Sequence, residues 1–84
     1  MGQNFQMSRR AATRSSTVLL RFGTQVRKVR ISRGFSQEKL GEIAGLDRTY
    51  VSGIERGLRN VSLRNIAVLA RALGVTASDL LAGV

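Results

Sequence analysis

The sequence predicts an all-α domain of five short helices, and three observations lead there. Proline is absent from all 84 residues. From Val18 onward, apolar residues recur at i, i+3, i+7 and i+10, with no strand-like alternation. A glycine, or a Ser, Thr or Asp residue, stands at each expected helix boundary.

Residues 1–17 (MGQNFQMSRRAATRSST) show no sustained apolar period and carry Arg9, Arg10 and Arg14, so they are expected to form a mobile basic arm. The folded domain is expected over 18–84. Its first helix puts Leu19, Phe22, Val26 and Val29 on one stripe and ends near Gly34. Ser36 offers an N-cap to a second helix running through Ala44, with Leu40, Ile43 and Ala44 inward. Gly45, Leu46 and Asp47 make a tight turn in which Gly45 takes a left-handed conformation and Asp47 caps the third helix. That helix turns Val51 and Ile54 inward and ends at Gly57. Ser62 caps a fourth, whose stripe is Leu63, Ile66, Ala70 and Leu73 up to Gly74. Thr76 and Asp79 fit the acidic variant of a capping box for the last helix, which carries Leu80 and Leu81.

Composition narrows the chemistry. The chain has no cysteine and no histidine, which removes disulfides, thiolate or imidazole metal sites, and Ser-His or Cys-His catalysis. No enzyme, metal or cofactor is expected, because the five acidic residues form no obvious metal pair either. Fourteen basic residues leave a net charge of +9, and twelve of the fourteen are arginine. Arginine's planar fork matches phosphate and guanine edges, so a polyanion is the natural partner. The domain beyond the arm stays basic in its own right, with eleven basic residues against five acidic ones. No apolar run is long enough to cross a bilayer, and the first residues lack the apolar segment of a secretory signal. A cytoplasmic protein without membrane contact is expected.

Two short helices joined by a tight turn meet the needs of a helix-turn-helix, in which the second helix enters the major groove of double-stranded DNA. With Val51 and Ile54 inward, the outward residues of the third helix are Arg48, Thr49, Tyr50, Ser52, Gly53 and Arg56. Arginine can bind guanine O6 and N7 bidentately, threonine offers a hydroxyl and a methyl, and tyrosine can bond phosphate or stack.

The segment SQEKLGEIAGLDRTYVSGIERG resembles the phage repressor and Cro, or Xre, family of helix-turn-helix proteins, and the likeness extends over residues 18–84. It rests on Gln37 at the first motif position, Gly41 and Gly45 at the fifth and ninth, Val51 and Ile54 at the fifteenth and eighteenth, and Glu55-Arg56-Gly57 after them. Downstream, ALGVTASDLLAG at 72–83 looks like that family's closing helix. The resemblance implies a compact repressor-like domain that regulates transcription. It also implies that Gln37 bonds a DNA phosphate, that Arg48 and Thr49 read base edges, and that Arg30 pairs with Glu55 to orient the recognition helix. One departure is Gly41, where alanine is usual. Glycine inside a helix costs roughly 1 kcal/mol relative to alanine, so the second helix is expected to be less stable than in relatives. The run DRTYVSGIERGLRN at 47–60 is also similar to the controller proteins of restriction-modification systems. By that likeness Arg48, Thr49, Tyr50 and Ser52 face bases, while Arg56, Arg59 and Asn60 meet the DNA backbone.

Ala67, Val68 and Leu69 widen the apolar face of the fourth helix beyond a monomer's stripe, and Leu80, Leu81 and Val84 do the same at the end of the chain. A homodimer seam of Val68, Leu69, Leu80, Leu81 and Val84 is expected from this surplus. Two recognition helices would then meet half-sites about 10 base pairs apart in a palindromic operator. Such a dimer would block RNA polymerase or contact it. The alternative from a different class is an antitoxin-like interaction module that keeps the DNA-binding core and uses residues 1–17 for a protein partner.

Overall fold

The computed structural model describes the backbone of residues 2–84 and the side chains from residue 17 onward. Five helices follow in order: α1 (Gly2–Ser32), α2 (Gln37–Ala44), α3 (Arg48–Glu55), α4 (Leu63–Leu73) and α5 (Ala77–Leu80). Helix α1 begins at Gly2 rather than at Val18. Between Gly2 and Gly23 there is neither proline nor glycine to break it, and Met, Gln, Arg and Ala are all favourable inside a helix. The expected arm's Arg9, Arg10 and Arg14 side chains lie outside the described residues.

Local chemistry sets the other boundaries. The Ser36 hydroxyl accepts from the Lys39 N–H at 2.9 Å, the Asp47 carboxylate from Thr49 at 3.0 Å, and the Ser62 hydroxyl from Asn65 at 3.1 Å. Each cap satisfies an otherwise orphaned donor and stabilises its helix by about 1 kcal/mol. Thr76 and Asp79 bond each other's backbone N–H reciprocally, both at 3.0 Å, which closes the capping box of α5. The Thr76 backbone N–H, and next its side chain, hold the Asp79 carboxyl below its ordinary value. Gly45 (φ 70°) and Gly74 (φ 71°) end α2 and α4 in the left-handed region.

Helix α1 packs on α3 and α5, α2 packs on α3 and α4, and α4 packs on α5. The core between them is Phe22, Val26, Leu40, Val51, Ile54, Leu69, Ala70, Leu73 and Leu80. Several expected faces are rotated. Ile43 is 46% exposed, because α2 meets its neighbours through Leu40, Gly41 and Ala44 and leaves Ile43 on the flank. Leu63 is 76% exposed; as the first residue of α4 it precedes the turns that reach the core, and Leu69 takes the inward place instead. Leu69 and Leu80 are fully buried within one chain, so neither is available to the dimer seam expected of them. Val84 leans against the same core, which leaves Val68 and Leu81 as the seam residues turned outward.

Two glycines permit the close packing. A Cβ at Gly23 would stand 2.2 Å from the Ile54 carbonyl oxygen, so α1 and α3 touch backbone to backbone. A Cβ at Gly41 would stand 2.6 Å from the Leu46 carbonyl oxygen, in the turn that folds back to give Gly41 a hydrogen bond from Leu46 N–H at 2.8 Å. The expectation that glycine weakens α2 is therefore corrected: here alanine would push the turn away. Gly23→Ala should lower stability by about 1–3 kcal/mol, as overpacking does, despite alanine's better helix propensity. Urea unfolding measures it; an unchanged or raised midpoint would contradict the contact.

Candidate nucleic-acid interface

The orientation of α3 is set from underneath. Arg30, in the last turn of α1, donates from Nε to Glu55 Oε2 at 2.6 Å and from Nη2 to Oε1 at 2.9 Å. Its remaining Nη1 donates to the Phe35 carbonyl at 2.7 Å. Glu55 is the last residue of α3, and its side chain is 2% exposed. The hydrogen bond to Glu55 is the main cause that holds the Arg30 guanidinium above its ordinary value. Gln37, the first residue of α2, joins the cluster by donating to Glu55 Oε1 at 3.2 Å. An amide nitrogen has two protons, so Gln37 keeps one for an outside acceptor.

The opposite face of α3 is open. Arg48 and Thr49 are exposed, and with half-buried Ser52 and Gln37 they line one shallow cleft. A second cleft, lined by Arg30, Ser36, Gln37, Glu38 and Arg48, adjoins it at the start of α2. Arg56, Arg59 and Asn60 are exposed at the end of α3 and in the loop beyond. Three of the four residues expected to face bases, Arg48, Thr49 and Ser52, thus lie together with Gln37, and the three expected backbone contacts are exposed at the far end of α3 and in the loop after it.

Tyr50 and Gly53 also touch other parts of the chain. Tyr50 is half-buried against the core, and its hydroxyl accepts from Asn65 Nδ2 of α4 at 3.0 Å. Gly53, expected outward, is buried beneath the Arg59 side chain. Asn65 was not singled out by sequence; an amide in a helix of LRNIAVLARAL is a polar interruption that hints at a partner. Among the described residues no three His, Cys, Asp or Glu side chains gather as metal ligands, and no helix is long and apolar enough to cross a membrane.

This geometry has close counterparts. A helix-turn-helix family model matches residues 26–80. Control protein C.BamHI of Bacillus amyloliquefaciens is 52% identical over 68 residues, which are 80% of this chain and 84% of that protein. The structure of the restriction-modification controller protein C.AhdI from Aeromonas hydrophila is 52% identical with a TM-score of 0.73, over 74% of this chain and 94% of that one. The restriction-modification controller protein C.Esp1396I, solved as a tetramer in complex with its natural 35 base-pair operator, is 32% identical with a TM-score of 0.71, over 77% of this chain and 90% of that one.

Removing one member of the buried pair leaves a carboxylate or guanidinium without its partner, which costs about 3–5 kcal/mol. Arg30→Ala should therefore bring the domain close to unfolding at room temperature, whereas the apolar pair Arg30→Met with Glu55→Leu should recover most of the loss. Chemical denaturation of the three proteins checks this; equal losses for the single and paired changes would contradict it.

Proposed function

The chain belongs to the helix-turn-helix family of phage-repressor, or Xre, type, and we propose that it is a controller-type transcriptional regulator, a homodimer that reads a palindromic operator with α3 of each protomer. The observation that carries this reading is the charge of the exposed α3 face. The only carboxylate within α3, Glu55, is turned away from that face and matched by Arg30. Among the described residues, Arg48, Arg56 and Arg59 make no ion pair, so their charge is available to phosphate and base edges. The similarity to C.BamHI and C.AhdI supports the controller role, and the operator complex of C.Esp1396I supports multimeric binding. None of these relatives favours the antitoxin-like alternative.

Within this reading Arg48, Thr49 and Ser52 meet base edges, and Gln37, Arg56, Arg59 and Asn60 meet phosphates. Tyr50 contributes through its hydroxyl proton, since the bond from Asn65 occupies only a lone pair. Regulation by occupancy then needs no catalysis and no cofactor: the bound dimer excludes RNA polymerase or offers it a surface, in the cytoplasm where the operator lies. The outward apolar residues Val68 and Leu81 mark the seam between protomers.

Selection from a random duplex library at near-physiological salt should return a palindrome with half-sites about one helical turn, 10 base pairs, apart. On that site Arg48→Ala should cost about 1–3 kcal/mol and relax preference at one position per half-site. Arg59→Ala should weaken selected and random DNA alike and flatten the salt dependence by about one unit of slope. Equal losses on both DNAs for both variants would refute the division of roles. Leu81→Glu should weaken self-association by roughly tenfold, the equivalent of losing part of a buried leucine. Sedimentation equilibrium reads that change, and an unaltered dimer would place the seam elsewhere.

A further inference from the structure

Glycine disfavours a helix relative to alanine, yet α3, only eight residues long, has one in its interior. A Cβ at Gly53 would stand 3.0 Å from Arg59 Cγ and 3.1 Å from Nε. The Arg59 stem therefore lies over Gly53, one turn beyond Thr49, where an outward side chain of α3 itself would otherwise be. The loop brings it there. Gly57 turns through φ 73°, and Leu58 N–H donates to the Gly53 carbonyl at 2.9 Å, which folds the chain back on the helix. The Arg59 guanidinium carbon is 5.8 Å from the centre of the Tyr50 ring, within reach of a cation–π contact. The ring is steadied in turn from α4, by the Asn65 amide on its hydroxyl.

We propose that Gly53 and Asn65 are positioning residues for DNA binding: Gly53 leaves the seat, and Asn65 fixes the Tyr50 platform, on which Arg59 is held beside the recognition helix. A loop arginine would otherwise have to give up its rotamer freedom when it meets a phosphate. Here much of that ordering is present before DNA arrives. Neither Gly53 nor Asn65 needs to touch DNA for this. The inference rests on the operator-binding reading above and adds to it a reason why α3 carries a glycine and α4 an asparagine at these places.

The test is a pair of double-mutant cycles on the selected operator and on random duplex DNA, with thermal midpoints alongside. Gly53→Ala adds a methyl group in the seat, and Asn65→Leu keeps the branched shape while losing the donor; both raise helix propensity, so both should stay folded. Each is expected to weaken binding to either DNA by about two- to fivefold, the span of an exposed cation–π contact. In an Arg59→Ala background Gly53→Ala should cause no further loss, and with Tyr50→Phe added Asn65→Leu should cause none either, because the groups they position are gone. A lowered affinity without a lowered midpoint separates positioning from a purely structural role. Losses that add fully to that of Arg59→Ala, or no loss in either single variant, would overturn the inference while leaving the operator reading intact. A wild-type protein that selects no site would instead overturn the operator reading and the inference with it.

Discussion

One buried carboxylate governs how this domain presents its surface. Glu55 closes α3, and three other parts of the chain are tied to it: the end of α1 through Arg30, the turn before α2 through the Arg30 bond to Phe35, and the start of α2 through Gln37. Such a pair adds little net stability over an apolar replacement, because desolvation offsets most of the Coulombic gain. Its value is directional. A bidentate contact fixes the guanidinium plane relative to the carboxylate, and hence α1 relative to α3. Gln37 shares the same anchor, so the start of α2 and the end of α3 are held as one piece.

That arrangement is possible only because backbones approach closely. The core has few large side chains, as expected of a short chain. Gly23 brings α1 against the last turn of α3, and Gly41 lets the turn close over α2. Arg33, just past the end of α1, adds a polar tie, donating to the Leu73 and Gly74 carbonyls at 2.8 and 3.0 Å where α4 ends. With α3 clamped on one side by contacts of this kind, its free side can carry side chains chosen for recognition rather than packing.

Much of this was legible in the sequence, and the boundary between what was and was not is physical. Caps are local: Ser36, Asp47, Ser62 and Thr76 act on donors two or three residues away, so their pattern is visible in the string itself. Faces of short helices are harder. Over eight residues the apolar pattern makes barely two turns, and Ile43 fits the stripe as well as its neighbours do although it lies on the flank. Leu69 and Leu80 read as surplus because a wide apolar face looks the same whether the chain's own helices or a partner cover it. Gly53 and Asn65 act through tertiary contacts that no periodicity encodes. The trace they leave is a local cost: a glycine inside a helix, like an amide among apolar residues, signals that something packs there. Gly41, costly to α2 by propensity alone, carries the same message.

The distribution of charge completes the case that the basic character serves binding rather than folding. The five acidic residues are largely committed to the fold: Glu55 to Arg30, Asp47 and Asp79 to helix caps, and Glu38 to the first turn of α2, where it favours the helix dipole. Glu42 stands 3.9 Å from Lys39 in an exposed pair that contributes little. Most cations therefore have no carboxylate to offset them, and a net charge of +9 on so short a chain opposes its own compaction. A duplex that neutralises the α3 face removes part of that repulsion. Binding and stability are then linked through the same charges, so the domain should be most stable when it is on its operator.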